Sequence, residues 1–246
     1  MYAGSRFTTL RCLIAVGATA AALLGASVAQ AHVLRHAPRH RVGKGTSTNW
    51  SGYAVDGTGA TQVIGTWKQQ AASCGIGETS WSSPWVGIDG DISNTVEQTG
   101  TDTDCNNGSP SYYAWYEMYP KQTQVLPMTV TPGHYYTGSV TYSSGVFTLS
   151  LTDDTTRVNY TEHLSSKKAA RSSVEWIVEG PSNGLLTNFG TLPFSSASAT
   201  IGGKSQGLSL FGTSAQSITM INSAGATRAQ PSSVSNNGFN DVFANH

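Results

Sequence analysis

The chain has 246 residues, a mass of 25.9 kDa and 11% charged against 38% hydrophobic side chains, too apolar and too poor in charge for intrinsic disorder. Fourteen basic groups balance fourteen acidic ones, but no acid precedes Asp56 and six basic residues lie within residues 1–44, so residues 45–246 carry eight basic against fourteen acidic groups, a net charge of −6. A body of that sign lacks the basic footprint of a nucleic-acid binder, and neither GxxxxGK[ST] nor GxGxxG marks a nucleotide site.

Arg6 and Arg11 precede an apolar run from Cys12 to Ala29, and Ala29-Gln30-Ala31 has the small-x-small pattern cut by signal peptidase. Residues 1–31 are therefore expected to be a signal peptide, and the exported, extracellular chain to begin at His32. The run is short, rich in Ala and Gly and followed by a cleavage triplet, which argues against a membrane-spanning helix. No membrane association is expected after cleavage. Residues 32–45 form a basic leader. HVLRHAPRHRVGK holds three His and four Lys/Arg in thirteen residues and no acid. Two readings stand side by side: a solvated charge run, or a short propeptide that lies on the acidic body until the pH drops. The second predicts acid-treated protein beginning near Thr46. In an oxidising compartment, Cys74 and Cys105 are expected to form a disulfide, since Cys12 leaves with the signal. Two lone cysteines without a His cluster do not make a zinc site, so no metal and no other cofactor is expected.

Residues 46–246 read as one all-β domain. Strands are predicted over 62–68, 85–89, 96–99, 112–119, 139–142, 146–151, 174–179 and 217–221, separated by Gly, Ser, Asn, Asp and Thr, with no segment of helical period. That many short strands fits a two-sheet antiparallel β-sandwich. The tail from Asn222 to His246 is rich in Ser, Asn and Ala and is expected to fray in part.

Side chains alternate between the two faces of a strand. Trp85, Gly87 and Asp89 then share one face of their strand, and Tyr113, Trp115, Glu117 and Tyr119 share one face of theirs. In VEWIVE, Val174, Trp176 and Val178 oppose Glu175, Ile177 and Glu179. The outcome is a sheet with a dry side and a side lined by Trp, Tyr, Asp and Glu. Spacing alone leaves this side open between a groove for an extended polymer and an ordinary solvated face.

The residues themselves carry more. Trp85-Val86-Gly87-Ile88-Asp89-Gly90-Asp91, Gln98-Thr99-Gly100, Ala114-Trp115-Tyr116-Glu117 and Glu175-Trp176-Ile177-Val178-Glu179 resemble, in order and spacing, the glutamic peptidases or eqolisins. Asn49-Trp50 and Asn188-Phe189-Gly190 resemble further positions of the family, so the likeness spans residues 46 to about 220. The resemblance implies a lectin-like, jelly-roll β-sandwich with a bent substrate-binding face and a secreted, acid-acting endopeptidase. It places the catalytic glutamine at Gln98 and the catalytic glutamate at Glu179. Trp50, Trp85, Asp89, Trp115 and Glu117 fall on residues that bind substrate or support the site. The implied partners are protein or peptide substrates, met by a monomer.

The chain departs from the family pattern in two places: Glu97 stands where an apolar residue is usual and Tyr113 where an acid is common. Glu97, Asp102, Asp104, Asp153, Asp154 and Glu162 are read as solvated charges. His134 and His163 lack any GxSxG-type nucleophile motif, which disfavours a Ser-His or Cys-His hydrolase. Asn107 and Asn159 head glycosylation sequons that matter only in a glycosylating host. The competing readings are a carbohydrate-binding module stacking sugars on Trp85 and Trp115, and a glycoside hydrolase using Glu117 and Glu179. Gln98 separates them, because neither alternative needs an amide at the centre of its site.

Overall fold

In the computed structural model, residues 1–2 and 36–244 are described, so the predicted signal peptide lies outside the described residues apart from Met1 and Tyr2. The strands run in chain order β1 (Arg41–Gly43), β2 (Thr46–Ser47), β3 (Trp50–Asp56), β4 (Ala60–Lys68), β5 (Ser83–Ile88), β6 (Val96–Asn106), β7 (Ser109–Tyr119), β8 (Gln124–Leu126), β9 (Tyr135–Ser143), β10 (Val146–Asp153), β11 (Val158–Ser165), β12 (Ser173–Glu179), β13 (Thr191–Ile201), β14 (Lys204–Gly207), β15 (Ala215–Ile221), β16 (Thr227–Pro231) and β17 (Phe239–Phe243). A short 3-10 helix at Leu208–Ser214 interrupts the pattern.

One sheet has the order β15-β3-β12-β5-β6-β7-β8, all antiparallel. The other runs β11-β10-β9-β4-β13-β17-β16-β15-β2-β1, with a single parallel pairing between β15 and β2. β15 belongs to both: Ala215–Ile218 pair with β3, and Thr219–Ile221 pair with β2 and β16. The predicted all-β architecture is therefore present, with longer strands than the alternation alone marks.

Parity explains the core. Val174, Trp176 and Val178 of β12 join Val86 and Ile88 of β5, Trp67, Tyr136, Phe147 and Leu149 in the layer between the sheets. The two indoles there satisfy their N–H groups inside, Trp176 on the Ile64 carbonyl at 2.7 Å and Trp67 on Thr101 Oγ1 at 2.8 Å, which is the usual condition for burying tryptophan. The opposite face of the β12 sheet carries a second cluster of Trp50, Trp85, Tyr113, Trp115, Ile177 and Ile218. All seven residues of β12 are buried because it is central in its sheet and covered on both faces.

Three expectations change. The 222–246 tail does not fray as expected: β16 and β17 place it in a sheet, with Asp241 buried and accepting from Ser51 Oγ at 2.8 Å. Glu97, Asp102, Asp104 and Asp153 are buried rather than solvated. Asp89 has φ +73, which breaks strand alternation beyond Ile88, and its carboxylate accepts from Arg171 N, Ser172 N, Ser172 Oγ and Ser93 Oγ. It clamps two loops at the end of the strand instead of continuing the face of Trp85. The Cys74–Cys105 disulfide is present, with Cα atoms 5.6 Å apart, and ties the loop before β5 to the end of β6.

Candidate active site

The aromatic face of the β12 sheet is built row by row. Gln98 of β6 stands opposite Gly87 of β5 and Glu117 of β7, and Gly87 opposite Glu175 of β12. The next row holds Ile177, Trp85, Gly100 and Trp115, and the one beyond it pairs Glu179 with Ser83 and Trp50. Glu179, Trp85 and Gln98 thus lie on one diagonal across three strands, with the indole in the middle. Gly87 and Gly100 make room for that indole. A Cβ on Gly100 would come within 2.5 Å of Pro84 O, 2.6 Å of Trp85 Cβ and 2.9 Å of the Trp115 ring, and one on Gly87 within 2.9 Å of the Trp85 ring.

Glu179 is held by three donors. Trp85 Nε1 donates to Oε2 at 3.1 Å, and Asn49 Nδ2 and the backbone N–H of Ala37 donate to Oε1 at 3.2 and 3.0 Å. Burial pushes its pKa up to about 8 against the opposing pull of those donors. Gln98 is fully buried; its Nε2 donates to Glu117 Oε2 at 3.1 Å, while its Oε1 has no hydrogen-bond partner. Gln98 and Glu179 share the face but are not hydrogen-bonded to each other. Trp50 packs edge-on against Trp85 at 4.9 Å. Of the residues singled out in the sequence, Trp50, Trp85, Gln98, Trp115, Glu117 and Glu179 are brought to this surface, and Asp89 is not.

The described part of the basic leader, from His36 onward, lies in this site. His36 is fully buried, its ring stacked on Trp115 at 3.7 Å and 13°, with Nδ1 3.5 Å from Glu179 Oε2 and Nε2 3.7 Å from Asp102 Oδ1. Burial lowers its pKa to about 4, with the Asp102 charge acting the other way. Trp50 Nε1 and Asn49 Nδ2 grip the Ala37 carbonyl at 3.0 and 3.4 Å, and Asn49 Nδ2 also reaches Pro38 O at 3.2 Å. Further along, Arg39 Nη1 meets Asp91 Oδ1 at 2.8 Å, both side chains buried, and Arg41 Nη2 meets Asp91 Oδ2 at 2.7 Å.

Two residues named in the sequence were given no role in the site there. Asn49 organises the site by accepting from His40 N at 2.8 Å while donating to Glu179. Asp102, fully buried, accepts from Ser83 Oγ and Tyr113 OH. Asp102 has the parity of Gln98 and Gly100, a signal visible only if β6 is continued past Thr99. Among the described residues no cluster of His, Cys, Asp and Glu has the makings of a metal site, and no helix is long and apolar enough to cross a membrane.

Comparison with known proteins places this geometry among relatives. The model of the Peptidase A4 family matches residues 48–241. Aspergillopepsin-2 of Aspergillus niger is 31% identical over 189 residues, covering 65% of this chain and 67% of that protein. Scytalidopepsin B of Scytalidium lignicola is 31% identical over 186 residues, covering 70% and 69%. A crystal structure of Scytalido-glutamic peptidase with a peptide based transition state analog superposes with a TM-score of 0.69 at 26% identity, over 80% of this chain and 98% of that one.

Proposed function

The chain belongs to the Peptidase A4 family and is a glutamic-type endopeptidase; from that premise we propose that Glu179 and Gln98 are its catalytic pair, that it is secreted and works in acid, and that residues 36–44 occupy its substrate cleft as a propeptide. The observation that carries the reading is the hydrogen bond from the Ala37 backbone N–H to Glu179 Oε1 at 3.0 Å. A peptide nitrogen stands against the carboxyl that would protonate it as it leaves.

Amide hydrolysis needs an activated water, a stabilised oxyanion and a proton for the departing nitrogen. Glu179, once ionised, takes the proton from the attacking water and passes it to the amine. Gln98 does not titrate. Its Nε2 has a second N–H beyond the one given to Glu117, suited to a tetrahedral oxyanion, and its unpaired Oε1 is an acceptor for the water. Trp85 orients Glu179 from the centre of the diagonal. With the leader in place, burial keeps Glu179 protonated over most of the physiological range. Departure of residues 36–38 lets water reach the carboxyl, and its pKa falls towards the ordinary carboxylate value of about 4. That makes the base form available already in mildly acid solution. Residues 1–31, read as a signal peptide, supply the route to secretion in this proposal.

The test is hydrolysis of an unfolded protein from strongly acid to neutral pH by the wild type, Glu179→Gln and Gln98→Ala. Acid-limited cleavage, lowered about 10³-fold or more by either substitution in a folded protein, is the expected result. Undiminished cleavage by Glu179→Gln overturns the assignment.

A further inference from the structure

Residues 45–246 carry eight basic groups, and three of them, Lys121, Lys167 and Lys168, line one cavity of about 310 Å³. Several of the others are already engaged: Arg228 donates to three backbone carbonyls, Arg171 lies over the Tyr142 ring and Lys68 over the Tyr135 ring. The three lysines meet no acid. Ion pairs among the described residues are made by His36, Arg39, Arg41 and His134, and none by these ammonium groups. An acidic body that gathers unpaired cations in one hollow offers that hollow to an anion.

The cavity stands beside the aromatic face and not on it. One wall is the end of β7, where Tyr119 pairs with Val96 at the edge beyond the Gln98–Glu117 row, and the facing wall is the turn that follows β11. No described residue of the leader lines it, so it stays open while the leader is seated.

We propose that this cavity is a binding site for a tetrahedral oxyanion of the phosphate class, separate from the catalytic cleft. The ammonium groups supply charge and the hydroxyls supply direction. Thr95 lines the cavity, is only 6% exposed, and its Oγ1 has no hydrogen-bond partner. A buried hydroxyl in that state is costly, and a ligand oxygen satisfies it. Ser166 Oγ accepts from the Ala169 N–H at 3.2 Å, which leaves its own O–H to donate. Three cations and two hydroxyls match a group whose three terminal oxygens are all strong acceptors.

Acid solution favours phosphate over carboxylate here. A carboxylate is neutralised near pH 4, whereas a phosphate monoester, with its second pKa at about 6, still carries charge below that value. Glu97 is the acid acted on by the Ser166 hydroxyl; burial pushes it up to about 8, so in acid it sets no charge against the ligand. Two sources supply this chemistry, free inorganic phosphate and a phosphoserine on a protein substrate. The second rests on the peptidase reading and would tether a phosphorylated chain next to the cleft. The anion site itself does not depend on that reading.

The experiment is calorimetric titration of full-length Glu179→Gln protein, which keeps its leader, at pH 5 and constant chloride. The ligands are inorganic phosphate, a peptide with one phosphoserine, and the same peptide with serine. Saturable 1:1 binding of both phosphate-bearing ligands, and none of the serine peptide, is expected. Replacing the exposed pair, Lys167→Gln with Lys168→Gln, is expected to lower the affinity about tenfold or more, as is Thr95→Val, while Thr95→Ser restores it. A phosphopeptide held about tenfold or more tighter than inorganic phosphate identifies a phosphorylated chain as the occupant, and equal affinities identify the free anion. Absence of saturable phosphate binding, or an affinity unmoved by the lysine pair and by Thr95→Val, overturns the proposal. Neither outcome bears on catalysis, which is read separately from protein hydrolysis by the wild type.

Discussion

Arg39 and Asp91 form an ion pair of 2.8 Å with both side chains shut off from solvent, in the turn that follows the WVGID segment. Removing one partner of such a pair strands the other charge, at a cost of about 3–5 kcal/mol. Asp91→Asn weakens two pairs at once, because Arg41 uses the same carboxylate. In a Glu179→Gln background, where self-cleavage is suppressed, this variant is expected to expose the leader at neutral pH. Trypsin nicking at Arg39 and Arg41 measures it, and a nicking rate equal to that of the parent would show that the pair does not hold the leader down.

Trp85 gives Glu179 a donor that stabilises the carboxylate. Trp85→Phe keeps most of the ring and loses the N–H, a bond to a charged group worth about 1.5–3 kcal/mol. Activity in the leader-free enzyme is expected to fall at least about tenfold, and because the carboxyl becomes harder to ionise, the acid limb of the kcat/KM profile moves to higher pH. A limb that stays in place would separate Trp85 from the titrating group.

Two groups under the leader respond to pH in opposite senses. His36, lowered from 6.5 to about 4 by burial, resists protonation when packed, so its contribution to packing is lost as pH falls from 6.5 to about 4. Glu179, raised from 4.5 to about 8, favours the packed leader as pH falls from about 8 to 4.5. The leader is therefore expected to sit tightest between pH 4.5 and 6.5 and to loosen on both sides. His36→Phe keeps a ring on Trp115 and removes the acid limb, so hydrogen exchange over residues 36–44 is expected to stay protected below pH 4.

Stability of the body should favour acid. Burial raises Glu97 to about 8, Asp104 to about 9 and Asp241 to about 8, each from an unfolded value near 4. A carboxyl with a raised folded pKa contributes stability that is complete below the unfolded value and is lost as pH rises through the folded one. The melting temperature is expected to hold near pH 4 and fall progressively towards pH 9. Asp153, lowered by its His134 and Thr156 hydrogen bonds against the effect of burial, and Glu78, lowered by its Ser80 and Gly75 hydrogen bonds, work in the other direction. A melting temperature that rises from pH 4 to pH 9 would contradict the raised values.

Gly100→Ala puts a methyl group 2.5 Å from Pro84 O and 2.6 Å from Trp85 Cβ. The strand must shift, at a cost of about 1–3 kcal/mol, and Trp85 leaves its place on the diagonal. Loss of activity larger than the loss of stability is the expected signature, read from denaturation midpoints alongside kcat.

Strands with clean alternation were legible from the chain alone: VEWIVE gives its two faces at once, and β12 realises both. β6 was not, beyond Thr99. Its continuation Gly100–Asn106 reads as polar loop, and the hydroxyls of Ser83 and Tyr113 from neighbouring strands help make a buried aspartate tenable there. Asp89 shows the opposite failure. Parity carried it onto the aromatic face, whereas a left-handed backbone at that residue turns the carboxylate to the loop at 171–172. Trp85, Gln98 and Glu179 share a surface that period two already implied. The seat of His36 was not accessible, because a segment of charge and Pro has no period to read.

The leader continues without a break through the β1–β2 pairing into β3. An occupant on so short a tether competes at an effective concentration in the millimolar range, far above any free peptide of comparable affinity. A single cut ahead of Ala37 would not dilute it, since residues 37–45 would stay attached and keep their hold on Asn49 and Asp91. Only a second break, between Arg41 and Thr46, turns a local ligand into a free one. Under the propeptide reading proposed above, latency is governed by chain connectivity, and two cuts, not one, mark the passage to an open enzyme.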